Sequence, residues 1–327
     1  MNPIRRTLLK SAGIAAGMTT GVHSLALAES YPAKPVRIVV PYPPGGPTDI
    51  VARLAGSKLE ERFKQPFIID NKPGAGGNVG AEIVARAAPD GYSLVVGTTA
   101  HAINPSIFKQ MSYDLLRDLT PVALLTKVPL VLVVHPSVPA RTVAEFIAHA
   151  KKSDGALAYA SSGNGQSTHL AAELFKSMTG VKMTHVPYKG SAPALVDVAG
   201  GQVAAMFDTM LSAMPQVKAG RLRALAVTSE RRSAAAPDLP TIAESGVAGY
   251  EATAWNGLLA PAGTPPGIVE QLNKAVNELL RQPEVAQRLA ADGAEPGSGT
   301  VAEFDKFIRA ELEKWAGAVK SSGAVMN

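Results

Sequence analysis

The chain has no cysteine. That excludes disulfides, a thiol nucleophile and any metal site built on thiolates. Aromatics are few, at 5%, and no block of like charge is dense enough to track a nucleic-acid backbone. The nearest approach, Arg221, Arg223, Arg231 and Arg232, reads as a solvated face. The six histidines show no H-x-x-x-H or similar ligand spacing, so no metal is expected. There is no G-x-x-x-x-G-K-S/T phosphate loop and no G-x-S-x-G elbow. Gly74-Ala75-Gly76-Gly77 departs from the G-x-G-x-x-G dinucleotide fingerprint. No cofactor is therefore expected.

What is present suits a globular protein with room for two domains: 327 residues, 46% hydrophobic and 18% charged. Residues 1–28 read as an export leader. Arg5, Arg6 and Lys10 make a basic start, a stretch of apolar and small residues follows from Ala12 to Leu27, and Ala26-Leu27-Ala28 is an A-x-A cleavage site. The stretch is too short and broken for a stable membrane span. Arg5-Arg6 followed by Leu8, Leu9 and Lys10 resembles a twin-arginine signal. Ile4 stands where that pattern has Ser or Thr, so ordinary secretion stays open, and either route leads to the periplasm. The leader holds three of the 32 basic residues and no acid, so 29 basic against 27 acidic residues leave +2 on the mature chain, against +5 for the whole.

The mature chain is organised around Ile38-Val39-Val40-Pro41-Tyr42-Pro43-Pro44-Gly45-Gly46-Pro47-Thr48-Asp49. A β-branched apolar run suits a buried strand, and the prolines stop it. Gly45 and Gly46 let the backbone turn and approach a ligand, and Pro47 and Thr48 open a helix. A helix N-terminus beyond a parallel strand offers free N–H groups to a carboxylate or phosphate. An ordinary βα turn explains the same residues.

Strand and helix signals then alternate. Val36 to Val40, Phe67 to Asp70 and Leu94 to Val96 read as strands, with helices at Thr48 to Phe63 and Val79 to Ala87, the βαβαβ pattern of a parallel sheet. Pro121 to Leu125 and Leu130 to Val134 read as two strands split by Lys127-Val128-Pro129, a first passage between lobes. A second series runs from Thr142 to Val227, Trp255 to Pro261 is the return passage, and the tail is helical. The expected architecture is α/β: lobe 1 from residues 29–126 and 256–327, lobe 2 from 127–255. Two crossings join them, hinging near Lys127–Leu130 and Trp255–Gly257, with a ligand cleft between. A second loop, Ser161-Ser162-Gly163-Asn164-Gly165-Gln166-Ser167, repeats the strand–glycine loop–helix device in lobe 2.

Pro43 to Asp49, Asn71-Lys72-Pro73-Gly74-Ala75-Gly76-Gly77, Ala88-Pro89-Asp90-Gly91-Tyr92, His185-Val186-Pro187-Tyr188-Lys189-Gly190 and Gly257 to Pro265 resemble the Bug family. These are the extracytoplasmic solute receptors of tripartite tricarboxylate transporters. The resemblance covers the mature chain in order. It implies a type II periplasmic-binding-protein fold, a small carboxylate or amino-acid ligand, and a permease of one large and one small membrane subunit. It also implies that loop backbone groups and ordered waters near the first glycine loop hold the ligand carboxylate. Tyr42 stands where many relatives have Phe.

The candidate ligand-binding residues are Tyr42, Pro44, Gly45, Gly46, Thr48 and Asp49 in the first loop, and Thr98, Thr99 and His101 at a strand end. Lobe 2 contributes Ser161, Gly163, Asn164, Gly165, Ser167, Tyr188 and Asp208. Each has a plainer reading. Asp49 suits a helix N-terminus without any ligand, and His101 and Tyr188 serve equally as local hydrogen-bonders. The leading expectation is a monomeric receptor with no catalytic residues and no nucleic-acid partner. A sensor presenting ligand to a membrane histidine kinase, or an enzyme of similar fold acting on a carboxylate, uses the same cleft. If the leader is read correctly, mass spectrometry of exported protein will find a chain starting near Glu29; a dominant species retaining residues 1–28 would refute it.

Overall fold

The computed structural model describes residues 31–45, 47–188, 190–291 and 293–322. The expected leader, its cleavage site, Gly46 and Lys189 lie outside the described residues. From Pro32 on, the chain packs as one compact unit. In order the elements are β1 (Val36–Val40), α1 (Pro47–Phe63), β2 (Phe67–Asn71), α2 (Asn78–Ala85), β3 (Ser93–Thr98), α3 (Thr99–Ile107) and β4 (Leu119–Val134). Then come α4 (Val143–Lys152), β5 (Ala158–Ser161), α5 (Ser167–Thr179), β6 (Thr184–Pro187), α6 (Ser191–Ala199), β7 (Ala205–Thr209), α7 (Met210–Lys218) and β8 (Arg223–Val227). The chain ends with β9 (Thr253–Pro261), α8 (Pro266–Leu280), α9 (Pro283–Ala291), β10 (Glu295–Pro296) and α10 (Val301–Ser322).

Local chemistry explains most boundaries. Pro47 and Pro266 occupy first helical positions, where a missing N–H costs nothing. Gly180 closes α5 in the left-handed conformation at φ +68°. The buried face of α8, formed by Val269, Leu272, Val276 and Leu279, recurs at helical spacing. β1 is buried nearly throughout, as a strand covered on both faces must be.

Hydrogen bonding sets the strand order β2-β1-β3-β9-β4-β7-β5-β6, with β8 and β10 also on β4. β1 runs parallel to β2 and β3, and β5 parallel to β6 and β7. β9 and β4 are antiparallel to their neighbours and cross the middle. Two points correct the sequence reading. β4 is one strand, not two: Pro129 pairs opposite Thr253, the first residue of β9, and from Leu130 on β4 pairs with β7 and β8 instead. The proline thus sits where the ladder changes partner. The second is α3, a helix in a stretch to which the sequence reading assigns no element. Thr98 and His101 form a capping box, with His in the position usually held by Glu or Gln.

The main core runs from Val39 through Ile103, Phe175, Phe207 and Tyr250 to Trp315, crossing from one group of strands to the other. α10 packs on both α3 and α5. Among the described residues no helix is long and apolar enough to cross a membrane.

β9 presses closely on α10. A Cβ on Gly257 would collide with the Phe304 ring and lie 3.0 Å from the Ala123 carbonyl oxygen. Gly257→Ala is expected to destabilise the fold by about 1–3 kcal/mol through overpacking. Urea unfolding measures this; an unchanged midpoint would mean that α10 can shift away freely.

Candidate functional site

Five helices, α1, α3, α5, α6 and α7, follow the carboxyl ends of β1, β3, β5, β6 and β7. Their N-terminal residues surround one cavity of about 600 Å³. Pro47 and Thr48 come from α1, Thr99 and Ala100 from α3, Ser167 from α5, and the caps Gly190 and Thr209 from α6 and α7. Tyr42, Pro43, Pro44, Val128, Ala254, Trp255 and Asn256 complete much of the wall. No Asp, Glu, Lys, Arg or His occurs among the described lining residues. What the wall presents is hydroxyls, two amides and helix N-termini beside apolar faces. Such a surface favours a negative group without a counter-charge.

Charges lie behind this wall and shape it. Asp49 is buried, and both its oxygens are engaged by groups around the first loop. Oδ2 accepts from the Gly45 N–H at 2.9 Å and from Arg53 Nε at 2.8 Å, while Oδ1 accepts from Asn71 Nδ2 at 2.9 Å. Asn71 Nδ2 also reaches the Tyr42 carbonyl, at 3.0 Å. Burial pushes the Asp49 carboxyl up, but the bonds from Arg53, Gly45 and Asn71 and the Arg53 charge outweigh it and hold it at about 2. Asp49 therefore fixes the turn, where Gly45 takes φ +83°, and does not line the cavity.

The Tyr42 hydroxyl meets Thr98 Oγ1 at 3.1 Å, and burial pushes its pKa up, so it stays a neutral phenol. His101 lies behind Thr98. Its Nδ1 accepts from the Thr98 N–H at 2.9 Å, so the proton sits on Nε2, 3.3 Å from the Gly77 carbonyl. Burial lowers its pKa to about 4, so the ring is neutral and pins the glycine loop at Gly74–Gly77. Asn104 assists, donating to the Gly76 carbonyl at 3.2 Å.

Of the sequence candidates, Tyr42, Pro44, Gly45, Thr48, Thr98, Thr99 and Ser167 line the cavity. Gly46 lies outside the described residues. Asp49, His101, Ser161, Gly163, Asn164, Gly165, Tyr188 and Asp208 stand outside the lining. Ser161 Oγ is 2.6 Å from His185 Nε2, a nucleophile–base distance, yet Ser161 is fully buried and faces its own loop, accepting from the Gly163 N–H at 3.1 Å. Gly165 donates to His169 Nδ1 at 3.1 Å and packs against Ile107. Asn164 is exposed, and Tyr188 donates to Asp197 at 2.6 Å. Gln166, Gly190, Thr209 and Trp255 also line the cavity and were not among the candidates, although Gln166 lies in the second loop that the sequence singles out. The usable signal was position: residues at the carboxyl ends of the strands and in the turns just past them enter the crevice.

A model of the tripartite tricarboxylate transporter family receptor matches residues 51–324. The chain belongs to that receptor family. Protein BugT of Bordetella pertussis is 39% identical over 308 residues, covering 94% of each chain. Among solved structures, R. palustris Rpa4515 with adipate is 42% identical with TM-score 0.80, covering 90% of this chain and 99% of that one. MatC from Rhodopseudomonas palustris with bound malate is 35% identical with TM-score 0.76, covering 88% and 100%. The fold of this receptor is therefore that of the periplasmic solute-binding proteins.

One ionisable group of the receptor stands out beside the cavity. Asp208 is fully buried; Oδ1 accepts from Ser191 Oγ at 2.7 Å, while Oδ2 has no partner among the described residues. Burial pushes its pKa up to about 7, against smaller opposing contributions from Ser191 and Thr209. Between its ordinary value near 4 and about 7, the folded chain holds a proton that the unfolded chain has released, so stability falls as pH rises through that window. Asp208→Asn removes that loss, on the order of 4 kcal/mol by pH 8. Melting temperatures from pH 5 to 8 should flatten in the variant; curves parallel to wild type would show that Asp208 is ionised throughout.

Proposed function

We propose that this receptor captures a small carboxylate in the cavity at the strand ends and passes it to a tripartite permease. The observation that carries the reading is a wall of neutral donors and helix N-termini with no charged side chain among its described residues. An anion enters without displacing a resident carboxylate, and each charge-assisted hydrogen bond to backbone N–H contributes about 1.5–3 kcal/mol. Tyr42, the prolines, Val128 and Trp255 accept the carbon skeleton. Related receptors hold adipate and malate, so dicarboxylates are the first class to test, ahead of tricarboxylates, amino acids and aromatic acids.

The same reading places the protein in the periplasm after leader removal, as a monomer partnered by the large and small membrane subunits. Capture closes lobe 1, residues 29–126 and 256–327, on lobe 2, residues 127–255. The change is absorbed near Lys127–Leu130 and Trp255–Gly257, because a ligand touching both loops favours the closed population.

A thermal-shift screen of these acids, confirmed by calorimetric titration, tests the proposal. At least one should raise the melting temperature with concentration, by about 2.7 kcal/mol of added stability at a hundredfold excess over Kd. Small-angle scattering at saturation should show a smaller radius of gyration. Folded protein that binds none of the four classes overturns the carboxylate reading, and turnover of a bound acid favours an enzyme.

A further inference from the structure

The wall of the cavity is gripped from the far end of the chain. Trp255, 1% exposed, lines the cavity from β9. Its backbone N–H donates to Thr99 Oγ1 at 2.9 Å, joining it to a second lining residue. Its indole Nε1–H donates to Glu311 Oε2 at 3.0 Å, and the indole of Trp315 donates to the same oxygen at 2.8 Å. Glu311 lies on α10 and is buried. Its other oxygen pairs with Lys314, which also meets Glu251 Oε2 at 2.6 Å, just ahead of β9. Phe304 and Phe307 of the same helix stand edge-on to Trp255, with centroids 6.0 and 5.8 Å away. α10 in turn packs on α3 and α5, the helices that bring Thr99 and Ser167 to the cavity.

We propose that Glu311 is a positioning residue for capture: from the C-terminal helix it fixes Trp255 and, through Trp255, Thr99, so that ligand affinity depends on a carboxylate that never meets the ligand. The affinity part rests on the cavity being the ligand site; the positioning part does not. A carboxylate is needed because one side chain must accept from two indoles on one oxygen and face an ammonium with the other. Glutamine cannot satisfy both sides, since its NH₂ opposes a donor whichever way it turns. If Glu311 served folding alone, its loss would lower stability and leave the cavity of the surviving folded protein unchanged.

The test uses the full receptor in a Trp315→Phe background, which leaves Trp255 as the single indole of a chain with two tryptophans. Exchange of the Trp255 indole N–H is followed by NMR without ligand in Glu311→Leu, Glu311→Gln and a destabilised control, Phe146→Leu, whose side chain is buried in α4. Exchange should quicken about tenfold in Glu311→Leu, the equivalent of one hydrogen bond, and less in Glu311→Gln. It should stay at the background rate in the control. Adipate, malate and any other carboxylate that binds wild type should bind about 2- to 30-fold more weakly in the Glu311 variants. Should Glu311→Leu fail to fold, Glu311→Gln carries both measurements. Exchange no faster than in the control overturns the inference, as does unchanged affinity in every folded Glu311 variant. A wild type that binds no carboxylate refutes the functional reading instead, and indole exchange still decides the role of Glu311.

Discussion

Pro129 cannot donate to a ladder, and β4 changes partners there. Before it, β4 pairs with β9; after it, with β7 and β8. Thr228 secures the change, accepting from the Leu130 N–H at 2.8 Å and donating within reach of the Leu130 and Ala252 carbonyls, at 3.0 and 2.8 Å. These bonds are buried, so breaking one would strand a polar group away from water. One continuous strand can therefore serve two groups of parallel strands. The carboxyl ends of β1 and β3 and those of β5, β6 and β7 then meet at one crevice, as the rule for open α/β sheets leads one to expect.

The crevice separates two electrostatic tasks. Among the described residues, groups at its surface are neutral, and groups that carry charge stand behind them. Asp49 holds the first loop, and Glu311 holds Trp255. Neither offers its charge to the cavity, where a bare carboxylate would repel an anionic ligand. Were arginine or lysine in the wall, the ligand would be held by a long, flexible point charge with much rotamer entropy to lose. Backbone N–H groups at helix starts are already ordered, so holding an anion there costs little additional freedom.

The backbone of this architecture is legible in the residues themselves. The β-branched run of β1 and the helical spacing of α8 carry strong signals, and the observed limits of β1 match the expected ones. Where reading by residue type failed, tertiary context decided. Lys127-Val128-Pro129 has the composition of a break, yet a proline at a partner change leaves no ladder bond unmade. α3 hid because its cap pairs threonine with histidine and because Pro105 lies inside it. At the site, the first loop and the Thr98-Thr99 strand end could be named in advance. Trp255 could not, because what brings it to the cavity is the pairing of distant strands, not a local pattern. Asp49 and His101 have the right chemistry for a ligand and spend it on neighbours: burial makes their loop partners unable to turn to water instead.

That distinction bears on how such a receptor can vary its ligand. On the proposed reading the groups that receive a carboxylate are main-chain atoms, and Asp49, Asn71 and His101 behind the wall hold the loops that carry them. A substitution in the wall changes shape and leaves those N–H groups in place. A substitution behind it moves the N–H groups and leaves the visible shape nearly intact. On that same reading, preference among acids of different length or bulk would belong to residues such as Tyr42 and Val128, and the preference for an anion to residues the ligand never touches. Change behind the wall also carries a cost to the fold, because the polar atoms there are already committed to buried partners.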